Sequence, residues 1–273
     1  MTGNNIIYKE ATIFYTVTGT GKTIVLVHGF GEEGSIWQPQ VDFLKDKFRV
    51  IVPDMPGSGQ STFLEDANID IYADIIKEIL DREEQKLPSD EKNYKVTIVG
   101  HSMGGYITLA FAEKFPQHLN SFGLFHSSAF ADDKEKKEGR DKAIEFIRNK
   151  GAYTFLKTVI PNLFTKDFGE KNPEKIADLL ENGKKFTNET LIQYYEAMIA
   201  RPDRTAVLKS FIKPILFIIG EHDLAIPLDI SLQQCHLPVQ SDVHILNQSA
   251  HMGLWEEKEK VNNILLDFLV NNI

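Results

Sequence analysis

Short apolar runs alternate with amphipathic stretches along most of the chain. The runs at 23–27, 48–52 and 96–99 are rich in β-branched and aromatic residues, the composition of buried strands. Between the last two, Ile69 to Leu87 carries apolar residues at the three- and four-residue spacing of a helix. Strands that alternate with helices predict a mostly parallel sheet flanked by helices.

The same alternation continues on both sides of one long interruption. Met103 to Phe115 has helical spacing and stops before Pro116, and a strand is predicted at Ser121 to Phe125. The remaining predicted elements are strands at 6–8, 11–16, 215–219 and 243–246 and helices at 227–234 and 256–270. The fold class expected from this order is α/β, with about eight strands in the sheet.

The interruption covers residues 130–210. It is rich in lysine and glutamate at helical spacing, and it contains no convincing strand. Pro161, Pro173 and Pro202 divide it into several helices, one of which is predicted to begin near Thr187. We therefore expect a helical cap inserted into an α/β core formed by residues 1–129 and 211–273.

Composition places the chain among ordinary globular proteins and restricts the classes of partner it is expected to bind. Of its 273 residues, 42% are hydrophobic and 25% are charged, enough for a large buried core. The net charge is −9, from 39 acidic and 30 basic side chains. Because the lysines are dispersed among glutamates, no basic stripe is available for a phosphate backbone. We expect a small-molecule ligand and no nucleic acid.

The chain shows no sign of export or membrane insertion. Met1 to Asn5 lacks the basic stretch and apolar core of a secretory signal, and no apolar run reaches the roughly 20 residues that span a bilayer. Cys235 is the single cysteine, which excludes an intrachain disulfide. We therefore expect a cytoplasmic protein without a membrane partner, and the sequence leaves monomer and homo-oligomer both open.

A glycine-flanked serine lies between a predicted strand and a predicted helix. Gly100 to Gly104 satisfies the pattern G-x-S-x-G, with Ser102 at its centre. A sharp strand-to-helix turn exposes the serine hydroxyl above the sheet, and the flanking glycines let neighbouring elements approach closely. The helix that follows points its N–H groups at charge developing beside the serine. Ser102 is therefore the candidate nucleophile.

A nucleophilic serine needs a general base, for which two histidines compete. In this arrangement the chain order is serine, acid, histidine, with each group after a strand. His251 follows the predicted strand at 243–246 and satisfies this order. His126 ends the strand after the nucleophile helix but precedes every candidate acid. We therefore favour His251 as the base.

Three carboxylates are candidates for the acid that orients the base. Asp223 lies in the turn beyond the predicted strand at 215–219, where it fits better than Glu221 or Asp229. No set of histidine, cysteine and carboxylate residues has the spacing of metal ligands. The predicted site therefore contains neither a metal nor a cofactor.

A glycine-rich segment after a buried strand has two interpretations. His28 to Gly34 spells G-x-G-x-x-G, and Asp54 follows at the distance of a dinucleotide-binding fingerprint. Glu32 and Glu33 would then repel the pyrophosphate, which argues against that interpretation. The alternative is a pliable loop that supplies an N–H group to an oxyanion hole, beside the residue that follows the nucleophile. Only this alternative also accounts for Ser102 and its partners.

Together these motifs resemble the α/β-hydrolase superfamily over almost the whole chain. The matching segments are His28-Gly29-Phe30-Gly31, Asp54 to Ser61, Gly100 to Gly105, Gly220 to Asp223, and Ser249 to His251. The resemblance implies a triad of Ser102, Asp223 and His251 beneath a variable helical cap. It also implies an oxyanion hole formed by the backbone amides of Phe30 and Met103.

The function implied is hydrolysis of a small or medium carboxylic ester, or a related acyl compound, through an acyl-enzyme. Serine at position 102 argues against haloalkane dehalogenases and epoxide hydrolases, which carry aspartate there. Two alternatives remain: a lactonase or carbon–carbon bond hydrolase using the same triad, and a weakly catalytic or non-catalytic receptor. Trp37, His126 and Phe130 are the candidate substrate-binding residues.

Overall fold

A computed structural model of the protein describes residues 2–88 and 95–272. Its centre is one sheet of eight strands. The strands are β1 (Thr2–Tyr8), β2 (Ala11–Thr18), β3 (Thr23–Val27), β4 (Arg49–Pro53), β5 (Val96–His101), β6 (Leu119–Phe125), β7 (Ile215–Gly220) and β8 (Ser241–Leu246). The predicted number of strands is confirmed.

The strand order in the sheet is β1-β2-β4-β3-β5-β6-β7-β8. β1 pairs with β2 and β2 with β4 in antiparallel fashion, and every later pairing is parallel. The α/β class and the mostly parallel sheet are therefore confirmed. β3 and β5 are buried along their whole length, because both faces of the central sheet are covered. β2 instead alternates between buried and partly exposed positions over its first half.

Twelve α-helices surround the sheet within the described part of the chain. They are α1 (Gln38–Leu44), α2 (Ile69–Glu84), α3 (Met103–Lys114), α4 (Lys134–Lys150), α5 (Ala152–Val159), α6 (Lys166–Lys171), α7 (Pro173–Gly183), α8 (Asn188–Ala200), α9 (Thr205–Ser210), α10 (Leu228–Cys235), α11 (Gly253–Glu256) and α12 (Lys258–Asn272). In the core, α2 packs against α3 and α1 against α12. None of the described helices combines the length and apolar character needed to cross a membrane.

Helices α4 to α9 fill the segment between β6 and β7, where the cap was predicted. Asp133, Thr165 and Thr187 cap α4, α6 and α8, each accepting a backbone N–H from the third residue after it. The predicted helix start near Thr187 is thus confirmed. α4 packs on α5 and α8, whereas α9 packs on α3 of the core.

The predicted helix at 256–270 is confirmed as α12, and the short helix α11, which was not predicted, precedes it. They are separated at Glu257, whose backbone leaves the helical region at φ −122° and ψ 46°. The Glu257 carboxylate accepts the Gln248 N–H at 2.9 Å and the Ser249 hydroxyl at 2.8 Å. This break sets the start of α12 after Glu257.

The order in which successive strands are added to the sheet reverses at β3. That strand pairs with β4 on one side and with β5 on the other. In parallel sheets, the loops at the carboxyl ends of two such neighbouring strands diverge and leave a crevice. Here those loops are residues 28–34 after β3 and the turn at Ser102 after β5, so both predicted motifs meet at one edge.

Candidate active site

Ser102 lies in a strained turn between β5 and α3. Its φ of 53° and ψ of −117° are rarely adopted by residues other than glycine. The conformation is held from both sides: the Ser102 N–H donates to the Phe125 carbonyl at 2.9 Å, and its carbonyl accepts the Ser127 hydroxyl at 2.8 Å. The turn therefore presents a partly exposed serine at the end of a buried strand.

The glycines around Ser102 are required by close backbone contacts. A Cβ atom on Gly100 would lie 2.1 Å from the Gly104 carbonyl oxygen, and one on Gly104 would lie 2.3 Å from the Val27 carbonyl oxygen. A Cβ atom cannot lie this close to another heavy atom, and because the atoms it would meet are backbone, they cannot move aside as a side chain could. Glycine thus allows α3 to start directly above β3 and β5.

His251 is oriented by a buried carboxylate. Its Nδ1 lies 2.7 Å from Asp223 Oδ2, while Asp223 Oδ1 accepts the N–H groups of Ala225 and Ile226 at 2.8 and 3.0 Å. Burial alone would raise the pKa of Asp223, but His251 and His126 stabilise the carboxylate and hold its pKa well below the usual range. An ionised Asp223 keeps the proton of His251 on Nδ1 and leaves Nε2 as the basic atom.

The rival acids lie away from this pair. Glu221 and Asp229 are both exposed, and among the described residues the carboxylate hydrogen-bonded to His251 is that of Asp223. Asp223 is 3% exposed, because its carboxylate turns inward from the loop after β7. The geometry therefore favours the acid that the sequence favoured.

His126 does not line the substrate cavity, contrary to the sequence-based expectation. Its Nδ1 lies 3.3 Å from Asp223 Oδ2, on the inner side of that carboxylate. With the ring proton on Nδ1, toward Asp223, Nε2 accepts the Gly253 N–H at 3.3 Å, and burial lowers the pKa of His126 to about 4. The positive φ of 48° at His126 marks the bend after β6, beyond which the side chain lies in the interior. It is a neutral ring that packs behind Asp223.

His126, Asp223 and His251 bring possible metal-ligand atoms within 4.8 Å of one another. Their hydrogen bonds argue for a different use. His251 Nδ1 is hydrogen-bonded to Asp223, His126 Nδ1 faces the same carboxylate, and the one acceptor nitrogen of the neutral His126 ring, Nε2, receives the Gly253 N–H. Because a metal ligand must offer a free lone pair, this arrangement favours a hydrogen-bonded cluster over a metal centre.

Two unpaired backbone N–H groups lie beside the nucleophile. Within the described chain, neither Phe30 N–H nor Met103 N–H has a hydrogen-bond acceptor. A Cβ on Gly29 would lie 3.0 Å from the Ser102 Cβ, which places the loop after β3 directly against the serine. Gly31, with a φ of 68°, lets that loop turn away again. The arrangement suits stabilisation of negative charge near Ser102.

A buried ion pair, which the sequence did not reveal as a pair, supports this loop. Glu32 Oε2 accepts the Gly29 N–H at 2.6 Å and lies 3.0 Å from His101 Nδ1. The other ring nitrogen, Nε2, lies 2.8 Å from the His251 carbonyl. Both nitrogens of His101 therefore face acceptors, as an imidazolium requires.

The charges of this pair stabilise each other against burial. Burial opposes ionisation of Glu32, but His101 and the Gly29 N–H lower its pKa. Burial likewise opposes the charged form of His101, but Glu32 raises its pKa above the ordinary value. A titratable residue inside the apolar strand β5 was the available signal, since such a residue needs a buried partner. Glu32 is thus paired with His101 and occupies the Gly29 N–H, which argues against a pyrophosphate-binding loop here.

A cavity of about 130 Å³ opens beside Ser102 and His251. From the core it is lined by Phe30 and Glu32 as well as the two candidate catalytic residues. Its cap wall includes Arg140, Leu156, Ile160, Leu163, Tyr195 and Met198. The Phe30 ring stacks on Tyr195 with centroids 4.3 Å apart, so core and cap share one aromatic wall.

Two further predicted pocket residues lie elsewhere. Trp37 is wholly buried beneath the site, where its ring packs against Phe125 and His101 at centroid distances of 5.9 and 6.4 Å. Phe130 is not part of the cavity wall, and its carbonyl accepts a hydrogen bond from Arg201 at 3.1 Å. Aromatic character fits a core as well as a pocket, and only the path of the chain decides between them.

Hydrogen bonds join the cap to the loop that carries His251. The His251 N–H donates to the Leu163 carbonyl at 2.9 Å. Glu256 accepts the Thr165 N–H at 2.7 Å and also two N–H groups flanking His251. Burial raises the pKa of Glu256, although those N–H groups oppose the shift. One carboxylate therefore links the position of the cap to that of the candidate base.

Comparison with known proteins gives a consistent assignment. A family model described as the α/β hydrolase fold matches residues 22–258. A 2-hydroxy-6-oxononadienedioate/2-hydroxy-6-oxononatrienedioate hydrolase of Paraburkholderia phymatum is 28% identical over 274 residues, covering 95% of this chain and 91% of that protein. A pimeloyl-[acyl-carrier protein] methyl ester esterase of Vibrio cholerae is 24% identical over 260 residues, covering 94% and 97%.

A solved structure shares the architecture as well. A thermophilic esterase from Thermogutta terrifontis, solved with malate bound, superposes with a TM-score of 0.90 at 27% identity and covers 99% of both chains. The similarity therefore extends over core and cap together.

Proposed function

The chain belongs to the α/β hydrolase family, and from this premise we propose that it is a serine hydrolase acting on small carboxylic esters or related acyl compounds. The observation that carries the proposal is the shared cavity. Ser102 and His251 both line it, and His251 is hydrogen-bonded to the buried Asp223. The relatives named as esterases are consistent with this reaction class.

The first half of the reaction forms an acyl-enzyme. His251 Nε2 takes the proton from Ser102 as its oxygen attacks the acyl carbon, and Asp223 stabilises the resulting imidazolium. The carbonyl oxygen becomes an oxyanion, which accepts hydrogen bonds from the Phe30 and Met103 N–H groups. As the tetrahedral intermediate collapses, the bond to the leaving alcohol breaks and His251 gives that alcohol its proton.

The second half of the reaction releases the acid. His251 removes a proton from a water molecule, which attacks the acyl carbon bound to Ser102. The same N–H groups stabilise the second oxyanion. The bond to Ser102 then breaks, and the serine oxygen recovers its proton from His251. Each half therefore uses the imidazole once as a base and once as an acid.

Cavity size favours short substrates. The volume of about 130 Å³ lies below the roughly 300–1,000 Å³ that is usual for drug-sized ligands. Most of the cap wall is apolar, with Leu156, Ile160 and Leu163 facing the space. A short acyl chain fits these dimensions better than a long fatty acyl chain.

Carbon–carbon cleavage is the second candidate, favoured by one relative. The compound named for the Paraburkholderia hydrolase carries a ketone and two carboxylates but no ester, so its hydrolysis must break a carbon–carbon bond. A triad could attack such a ketone as it attacks an ester. Turnover of a matched panel of esters, lactones and diketones distinguishes these reactions.

Comparing wild type with Ser102→Ala on p-nitrophenyl acetate and butyrate tests the proposal. We expect wild-type turnover and a loss of about 10⁴-fold or more in the variant, with an unchanged melting temperature. Ser128→Ala, which alters a neighbouring serine outside the cavity wall, serves as the matched control and should retain turnover. Equal rates for wild type and Ser102→Ala would contradict the proposal.

A further inference from the structure

Arg140 is the only arginine or lysine on the wall of the active-site cavity, within the described residues. It projects from α4 of the cap, and only 16% of its side-chain surface is exposed. The rest of the cap wall is mainly aliphatic and aromatic. A cation in such surroundings is costly unless its charge and its donors find partners.

The partners of Arg140 account for only part of its guanidinium. Its Nε–H donates to Asp132 Oδ2 at 2.6 Å, and the group lies over the Tyr195 ring at 5.5 Å from the centroid. Within the part of the chain described here, its two terminal NH₂ groups have no acceptor. These are the nitrogens that form the planar fork with which arginine binds a carboxylate bidentately.

The charge around Arg140 is also unbalanced. Asp132 Oδ1 accepts a hydrogen bond from Arg201 at 2.9 Å, so one carboxylate serves two guanidinium groups. Burial opposes ionisation of Asp132, but the two arginines lower its pKa and keep it charged. The terminal nitrogens of Arg201 also donate hydrogen bonds to the Met198 and Phe130 carbonyls. The cluster therefore has a surplus of one positive charge, and apart from the buried Arg201 Nε–H its free donors belong to Arg140.

No other group at the cavity cancels this surplus. Glu32 is the only carboxylate on the wall within the described residues, and it is paired with the charged His101. Asp223 is ionised, but it is not on the cavity wall, and its oxygens accept hydrogen bonds from His251 and from two backbone N–H groups. A positive charge with free donors thus faces the same small space as the Ser102 hydroxyl.

We propose that Arg140 binds a carboxylate of the substrate, so that the preferred substrates are esters whose short acyl chain ends in an anionic group. The inference rests on the proposed ester hydrolysis and specifies its substrate class. With the acyl carbon at Ser102, the small cavity limits the chain between ester and carboxylate to a few carbons. Arg140 acts on binding and orientation, and Ser102 performs the chemistry.

Two esters with the same chain length test this assignment. Monomethyl glutarate ends in a carboxylate, and methyl pentanoate ends in a methyl group at that position. We expect wild type to prefer the anionic ester in kcat/KM, measured by titration of released acid. In Arg140→Met, we expect kcat/KM for monomethyl glutarate to fall about 10- to 100-fold, the range of a charge-assisted hydrogen-bonded pair. Turnover of methyl pentanoate should change little, which also shows that the variant is folded.

Two further variants test whether the preference needs the arginine fork rather than a charge alone, and whether it needs an arginine at position 140 rather than elsewhere on α4. Arg140→Lys keeps the charge but loses the planar fork, so it should retain part of the preference. Arg148→Met removes an arginine of α4 that is 52% exposed, and it should leave the preference unchanged.

The possible failures are distinguishable. If Arg140→Met lowers kcat/KM equally for both esters, Arg140 has only a structural role. That result, or a wild type with no preference for the anionic ester in kcat/KM, overturns the assignment and leaves ester hydrolysis standing. If wild type hydrolyses neither these esters nor the p-nitrophenyl esters, the proposed function fails and this inference fails with it.

Discussion

The buried pair of Glu32 and His101 predicts a large stability effect from a small chemical change. Glu32→Gln preserves the shape of the side chain but removes its charge. His101 would then be a buried imidazolium without a counter-ion, between a neutral amide and the His251 carbonyl. Because Glu32 also accepts the Gly29 N–H, the same change weakens the anchor of the loop beside Ser102.

The size of the effect follows from the contacts. Removing one partner of a buried ion pair typically costs about 3–5 kcal/mol of unfolding free energy. Glutamine keeps a carbonyl that can still accept the Gly29 N–H, so we expect the lower end, about 3 kcal/mol. Glu33→Gln is the matched control. Its Oε2 lies 3.5 Å from the Nζ of Lys185, which is 58% exposed, whereas Glu33 is 14% exposed; because solvent screens the lysine charge, we expect a cost of about 1 kcal/mol.

The same pair predicts a pH window. The folded-state pKa of Glu32 lies below its ordinary value of 4.5, so its contribution is present above pH 4.5 and lost as the pH falls through the folded pKa. The folded-state pKa of His101 lies above its ordinary value of 6.5, so its contribution is full below pH 6.5 and lost as the pH rises through the folded pKa. The pair therefore contributes most between pH 4.5 and 6.5.

Urea unfolding at pH 6, followed by tryptophan fluorescence, measures these effects in wild type, Glu32→Gln, His101→Gln and the double variant. We expect the double variant to be less destabilised than the sum of the single variants, because it leaves no charge unpaired. A cost for Glu32→Gln no larger than that of Glu33→Gln, or strict additivity in the double variant, would refute this account.

Two other substitutions test the site and its turn. Asp223→Asn should lower kcat about 10³- to 10⁴-fold without unfolding the protein, because the amide no longer holds the His251 proton on Nδ1; steady-state kinetics and circular dichroism measure this. Gly104→Ala should cost about 3 kcal/mol or more in urea unfolding, since its Cβ would lie 2.3 Å from the Val27 carbonyl. Gly139→Ala, with no atom near its Cβ, should instead gain about 0.5–1 kcal/mol.

Much of the architecture could be predicted because its causes are local. The runs that became β3 and β5 are mostly apolar and are buried along their whole length, since parallel strands are covered on both faces. The position of Ser102 followed from a strand, a glycine-flanked turn and a helix in that order. Chain order then gave Asp223 and His251, because each follows a strand at the same edge of the sheet.

The rest of the site depends on tertiary packing that no spacing encodes. Trp37 and Phe130 are aromatic, but the path of the chain places one in the core and the other away from the cavity. Arg140 lies in a helix rich in lysine and glutamate, a composition typical of a solvated face. Only the fold of the cap brings it against Tyr195 and Asp132 at the cavity wall. The proposed substrate preference therefore rests on the part of the chain where the sequence pattern is least informative.

The central claim is that Ser102 is an activated nucleophile, and covalent labelling tests it most directly. Intact protein is treated with a fluorophosphonate, which reacts with activated serines, and the modified peptide is identified by mass spectrometry. We predict one adduct, on Ser102, that is absent from Ser102→Ala and strongly reduced in His251→Ala. An unlabelled Ser102 in folded wild-type protein, or labelling elsewhere that persists in Ser102→Ala, would contradict the account.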